Sequence, residues 1–211
     1  MERKASDKRE KTLLVAMLLS SWAPVVTLIG VIMSGSLTQI GDCVRRTAEF
    51  AALTAAYVSY RRIRILDYDE RQKEKAGKRV SDLVSVTLGL SGIALLSVGI
   101  LNLVRPSVTP GDVWLGLAVA VLGLVVNVFF LVRYTVFDRR LTDGIIRSQK
   151  RLYMAKAVID GVVVLSYVAI MTARSAMVSS RVDGLGMVLV AIYLVVRAFK
   201  GDGSKASGPE M

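Results

Sequence analysis

From Thr12 to Met33 the chain runs for 22 residues without one charged side chain. An α-helix rises about 1.5 Å per residue, so such a run reaches roughly 33 Å, enough to cross the hydrocarbon of a bilayer. It is too long for the apolar core of a cleaved leader, so a first transmembrane helix retained in the mature protein is expected, despite the basic MERKASDKREK before it. Windows of similar character follow, and the spans read roughly 12–33, 36–60, 80–104, 113–136, 152–173 and 184–199. The last is short, but Arg197 and Lys200 can extend their stems to reach water at its end. The predicted fold class is therefore all-α: a polytopic membrane protein with six transmembrane helices. The expected division is a cytoplasmic segment 1–11, a membrane domain 12–199 and a disordered polar tail 200–211, with no soluble C-terminal domain.

Basic residues set the expected orientation. Segments 1–11, 61–79, 138–151 and 197–211 hold 21 lysines and arginines, whereas the alternate connections 34–35, 105–112 and 174–183 hold 3. The excess places both termini in the cytoplasm and the chain in the cell membrane. Six spans require both termini on one side, so the span count and the charge count agree. A net charge of +11 then reads as basic loops facing anionic lipid head groups, and no nucleic acid partner is expected, because no basic face comes with its own soluble core. The chain has no histidine and a single cysteine, Cys43. That removes the commonest general base and metal ligand, any intrachain disulfide, and any Ser-His or Cys-His pair, so no enzyme is expected.

Two spans break the apolar pattern in the same way. The second carries Arg45 and Glu49, and the fifth carries Lys156 and Asp160, each a cation followed four residues later by an acid. On a helix that spacing puts both side chains on one face, one turn apart. Ionisable groups inside a span usually face the bundle interior, one another or an ion path. Asp42, Asn127 and Asp183 are candidates for outer polar contacts around these four. Asn127, deep in the fourth span, suits a hydrogen bond to another helix. Asp42 is open to two roles, an outer ligand or a cap and inter-helix bond. Ala51, Ala52, Ala55 and Ala56, with Gly89 and Gly92, mark expected close helix packing. Ser34-Gly35 reads as a tight turn, and RPSVTPGD (105–112) as a loop broken by two prolines and a glycine. The stretch 61–79 reads as the largest internal loop.

Several segments together resemble the cation diffusion facilitator family. SGSLTQIGD (34–42), followed by Arg45 and Glu49, is similar to the opening of that family's second helix. LGLAVAVLGLVVNVFF (115–130) is similar to its fourth helix, DERQKEKAGKR (69–79) to its histidine-bearing loop, and VDGLGMVLVAIYLVVRAF (182–199) to its last helix. The resemblance spans the whole membrane portion. It implies divalent-cation/proton antiport, a tetrahedral metal site with two ligands from each of helices two and five, and pairing of two copies. By position those ligands fall on Arg45, Glu49, Lys156 and Asp160, so the first of each pair has become a cation. The two loop histidines fall on Gln72 and Ala76, while Asp69 and Gly77 keep the pattern.

The expected consequence is a site that carries its own positive charge. An unpaired charge at mid-span costs on the order of 3 kcal/mol on the insertion scale, so ion pairing of all four groups is expected. Two pairings are open, within each helix or crosswise between the second and the fifth. With two cations at the ligand positions a divalent cofactor or cargo ion is disfavoured; Glu49 and Asp160 are the acids left to meet one, with a deprotonated lysine open as a further ligand. Two functions follow: an antiporter of this family with an altered site, or a non-transporting structural or regulatory protein that keeps the fold and binds a partner.

Overall fold

The computed structural model describes residues 2–34, 37–66, 68–104, 113–140, 143–172 and 176–199. Among them are seven α-helices and no strand: α1 Glu2–Ser20, α2 Trp22–Ser34, α3 Leu37–Ile65, α4 Glu70–Val104, α5 Val113–Arg140, α6 Gly144–Thr172 and α7 Ala176–Phe199. They make six membrane passes, because α1 and α2 are one pass with a break. Pro24 causes the break: it has no N–H for the Ser20 carbonyl, and its ring crowds that carbonyl. The chain yields at Ser21, whose backbone N–H and hydroxyl both donate to the Leu18 carbonyl, at 3.3 and 2.8 Å. The apolar stretch Ser6–Ile29 still runs through both halves.

Glu70–Leu101, Ala120–Arg139 and Gly144–Ala169 are also long and apolar enough to cross a membrane, and Gly184–Phe199 is a shorter apolar helix. The pass formed by α3 fails that composition test, because it carries the charges of the candidate site. At 29 residues it is nevertheless ample in length. It packs against α4, α2 and α1, and Arg45 and Glu49 are largely buried in the bundle.

The helices are longer than the apolar windows that predict them. α1 starts at Glu2, so residues 2–11 are helical and run on into the first span. The expected loop 61–79 is mostly helix, with α3 running to Ile65 and α4 starting at Glu70. Arg, Lys, Glu and Gln are good helix formers, so a solvated helix end accepts them readily. The start of α4 is fixed by a reciprocal cap. The Gln72 backbone N–H donates to Asp69 Oδ1 at 2.7 Å, and the Asp69 N–H donates to Gln72 Oε1 at 3.2 Å. At the start of α6 the Ile145 N–H donates to Asp143 Oδ1 at 2.9 Å, so most of the expected loop 138–151 is helix as well. Gly35, the linker 105–112 and the tail 200–211 lie outside the described residues.

Packing is tightest between α4 and α7. A Cβ on Gly99 would lie 2.9 Å from Val188 Cγ2 and 3.0 Å from the Gly184 carbonyl oxygen, and one on Gly92 would lie 2.8 Å from Val195 Cγ2. Backbone-to-backbone approach of this kind drives helix association in lipid, where burial of apolar area does not. Gly89, by contrast, would meet only Ala198 Cβ at 3.7 Å, an ordinary contact. On α3, Ala52 and Ala56 are buried, but Ala51 faces outward. The interior is completed by Leu13, Leu53, Val84, Tyr134, Tyr153 and Leu194, while Leu18, Trp22, Val26, Leu122, Val125 and Leu189 point out, as lipid-facing side chains must.

Gly99→Ala is expected to destabilise the bundle by about 1–3 kcal/mol through overpacking. Gly89→Ala should be neutral or slightly stabilising, since Ala is the better helix former by about 1 kcal/mol. Thermal unfolding of the two variants in the same detergent separates them.

Candidate ion site between α3, α5 and α6

Arg45 and Glu49 lie one turn apart on α3, and Lys156 reaches them from α6. Arg45 Nη1 donates to Glu49 Oε1 at 3.0 Å, and Lys156 Nζ lies 3.2 Å from Glu49 Oε2. One carboxylate therefore takes a cation on each oxygen. The side chains of Arg45, Glu49 and Lys156 are only 12%, 8% and 14% exposed, so little water screens the cluster. The Thr87 hydroxyl on α4 stands 2.9 Å from the Leu83 carbonyl of its own helix and 3.3 Å from the Ala48 carbonyl, where α3 passes close beside Glu49.

Asp160 is placed differently from the expectation of four paired charges. Among the described residues it has no salt bridge, and no Lys156–Asp160 pair forms. Two features of helix geometry account for this. Side chains lean toward the helix N-terminus, so Lys156 leans away from Asp160. A cation placed four residues before an acid is also the poorer order for pairing, and aspartate is too short to make up the distance. Lys156 thus crosses to α3, although α3 and α6 touch only sparingly. Arg45 and Glu49, with longer reach, do pair along their helix.

Asp160 turns instead to α5. Asn127 Nδ2 donates to Asp160 Oδ2 at 2.5 Å, and a Cβ on Gly123 would lie 3.3 Å from the same oxygen. Gly123 and Asn127 are one helical turn apart, so α5 offers a gap for the carboxylate and an amide to bind it. Of the three outer candidates, Asn127 is thus brought to the cluster. Asp42 and Asp183 fall on α3 and α7, but their side chains lie outside the described residues.

The structure adds an aromatic wall that the charge pattern does not announce. Lys156 Nζ is 5.2 Å from the centroid of the Tyr153 ring, close enough for a cation–π attraction. Tyr153 in turn lies 5.4 Å from Tyr134 and 5.1 Å from Phe130 on α5, centroid to centroid. The available signal was spacing: Tyr153 stands three residues before Lys156, on the same face. Gly123, four residues before Asn127, carried a similar signal.

Ligand chemistry does not converge here as it would around a metal ion. No group of three or more histidine, cysteine, aspartate or glutamate side chains forms among the described residues. Gln72, which the resemblance sets in the place of a loop histidine, is committed to the cap of α4. Gly77 is committed to the crossing with α6, where its Cβ would lie 3.4 Å from Gly144 Cα.

Six helical passes around a buried polar cluster define a multi-pass membrane domain of the transporter kind. The profile of the cation efflux transmembrane domain matches residues 13–200, and the chain belongs to that family. No individual curated protein matches it.

Glu49→Gln leaves two buried cations without their carboxylate, and is expected to cost about 3–5 kcal/mol of stability. Asp160→Asn keeps a hydrogen-bonding group opposite Asn127 and should cost about 1 kcal/mol. Unfolding of each variant by denaturant in mixed micelles tests the ranking; an equal loss would remove the special place of Glu49.

Proposed function

We propose that this cation efflux family protein has a charge-locked centre, in which Arg45 and Lys156 supply the positive charge that a cargo ion brings elsewhere in the family. The supporting observation is the placing of one cation on each oxygen of Glu49. To load a divalent ion, Glu49 would have to release a guanidinium and an ammonium that then stand beside the incoming charge. Only Asp160 and an amide would remain as further ligands, against four for zinc and six oxygens for magnesium. The same ion pair ties α3 to α6, two helices that otherwise share little contact. On this reading the protein keeps the frame for a structural or regulatory role and carries no divalent metal through this site. That role is not catalytic, in keeping with the absence of histidine from the chain.

The family's divalent-cation/proton antiport is the second reading. It is favoured by Asp160, whose carboxylate is held by a neutral amide and no salt bridge among the described residues. Such a carboxylate is the one group in the cluster able to exchange a proton or cation without first breaking an ion pair. On either reading the basic helix ends face the cytoplasm of the cell membrane, following the 21-to-3 excess of lysine and arginine.

Zinc and manganese titrations of the purified protein, with proton flux measured in vesicles, separate the two. The native chain is expected to show no saturable binding in the micromolar range and no metal-driven proton flux. Arg45→Asp combined with Lys156→His is expected to gain binding, with folding checked by size exclusion. Micromolar binding and metal-driven proton flux by the native chain, both lost on Glu49→Ala plus Asp160→Ala, would establish antiport instead.

A further inference from the structure

At the end of α3 an open groove of about 430 Å³ is lined by Tyr57, Val58, Arg61, Arg62, Ile65 and Leu66. Three arginines stand in this last turn and a half, and they are not equivalent. Arg64 is neutralised by α1, with Nη1 2.6 Å from Asp7 Oδ1 and 2.5 Å from Glu10 Oε2. Arg61 and Arg62 turn to the groove, exposed, and no carboxylate of the described residues lies within ion-pair distance of either. Arg61 Nη1 instead donates to the Tyr57 hydroxyl at 3.3 Å, so the guanidinium stays beside the rim of this mainly apolar groove.

The depth of the groove is set by α1. Asp7 and Glu10, at the level of Arg64, belong to the last charged turn, ending at Lys11, before the charge-free run that begins at Thr12. The groove therefore straddles the boundary between head groups and hydrocarbon, where tyrosine is enriched. Its walls are apolar on either side of the arginines: Val58 is 40%, Ile65 66% and Leu66 60% exposed. A soluble polyanion would gain nothing from such walls. A phospholipid would gain from both parts, with a phosphodiester against two guanidiniums and the root of its acyl chains against Val58 and Tyr57.

We propose that this groove is a binding site for one anionic glycerophospholipid, with Arg61 and Arg62 on its phosphate. The site lies apart from the Glu49 cluster and does not rest on the function proposed for it. A zwitterionic lipid fits less well, because its ammonium is repelled by the same arginine pair.

The test is native mass spectrometry of the full chain released from detergent containing equal amounts of phosphatidylglycerol and phosphatidylcholine. Phosphatidylglycerol adducts are expected in about tenfold excess, given the attraction of its one net negative charge to two arginines near the surface. Arg61→Gln combined with Arg62→Gln should abolish that preference, while Arg139→Gln, an exposed arginine at the same basic side of the bundle, should keep it. The melting temperature of the double variant without added lipid should match the native chain, since neither arginine holds the bundle together. Equal retention of the two lipids by the native chain overturns the proposal, as does an undiminished preference in the double variant. A preference lost to the same extent in Arg139→Gln overturns it too, because the effect would then be general charge.

Discussion

Glu49 is a buried carboxylate with a cation on each of its oxygens, and the rest of the membrane interior is arranged around that cluster. Away from water, any one of the three charges alone would be costly, so the three stand or fall together. The cluster also carries structural information. The Arg45–Glu49 pair lies within one helix, whereas Lys156 comes from α6 and fixes where that helix must stand. A short polar bridge thus sets a spacing that apolar packing between α3 and α6 does not.

The remaining contacts supply the rigidity this bridge needs. α4 is gripped by α7 through glycines at which a side chain would collide with the facing backbone, and by α6 where Gly77 meets Gly144. Arg151, buried near the basic end of α6, donates to the Ser81 carbonyl at 3.4 Å and to the Ser85 hydroxyl, adding a polar clamp to the same α4–α6 contact. α5 lies along α6 with Phe130 and Tyr134 on Tyr153, and continues to Asn127 on Asp160. One seam between two helices therefore carries both the aromatic wall of the ammonium and the amide of the second carboxylate.

The basic ends of the helices are a third layer of the same design. The end of α3 fastens to α1 through Arg64 and leaves Arg61 and Arg62 exposed beside the groove. Adjacent arginines in one helical turn thereby do opposite jobs, one satisfied within the protein and two turned outward. The reason is angular: at about 100° per residue, Arg64 stands roughly 160° round the helix from Arg62 and about 100° from Ile65, so it meets α1 where they meet the groove.

The number of passes, their order and the presence of a polar face on the second and fifth were legible in the chain, because each depends on composition or spacing within one segment. Thr12–Met33 must span, and Arg45 must lie one turn from Glu49, whatever the neighbours do. Helix ends were less legible, since a charged solvated turn reads as loop until the cap made by Asp69 and Gln72 is seen to hold it as helix. Only the tertiary structure decided that Lys156 serves Glu49 rather than Asp160, that Asn127 and Gly123 receive Asp160, and that Gly99 rather than Gly89 is where α4 meets α7. Each of those depends on the rotation and register of one helix against another, and periodicity along a single helix carries no information about its neighbour's phase.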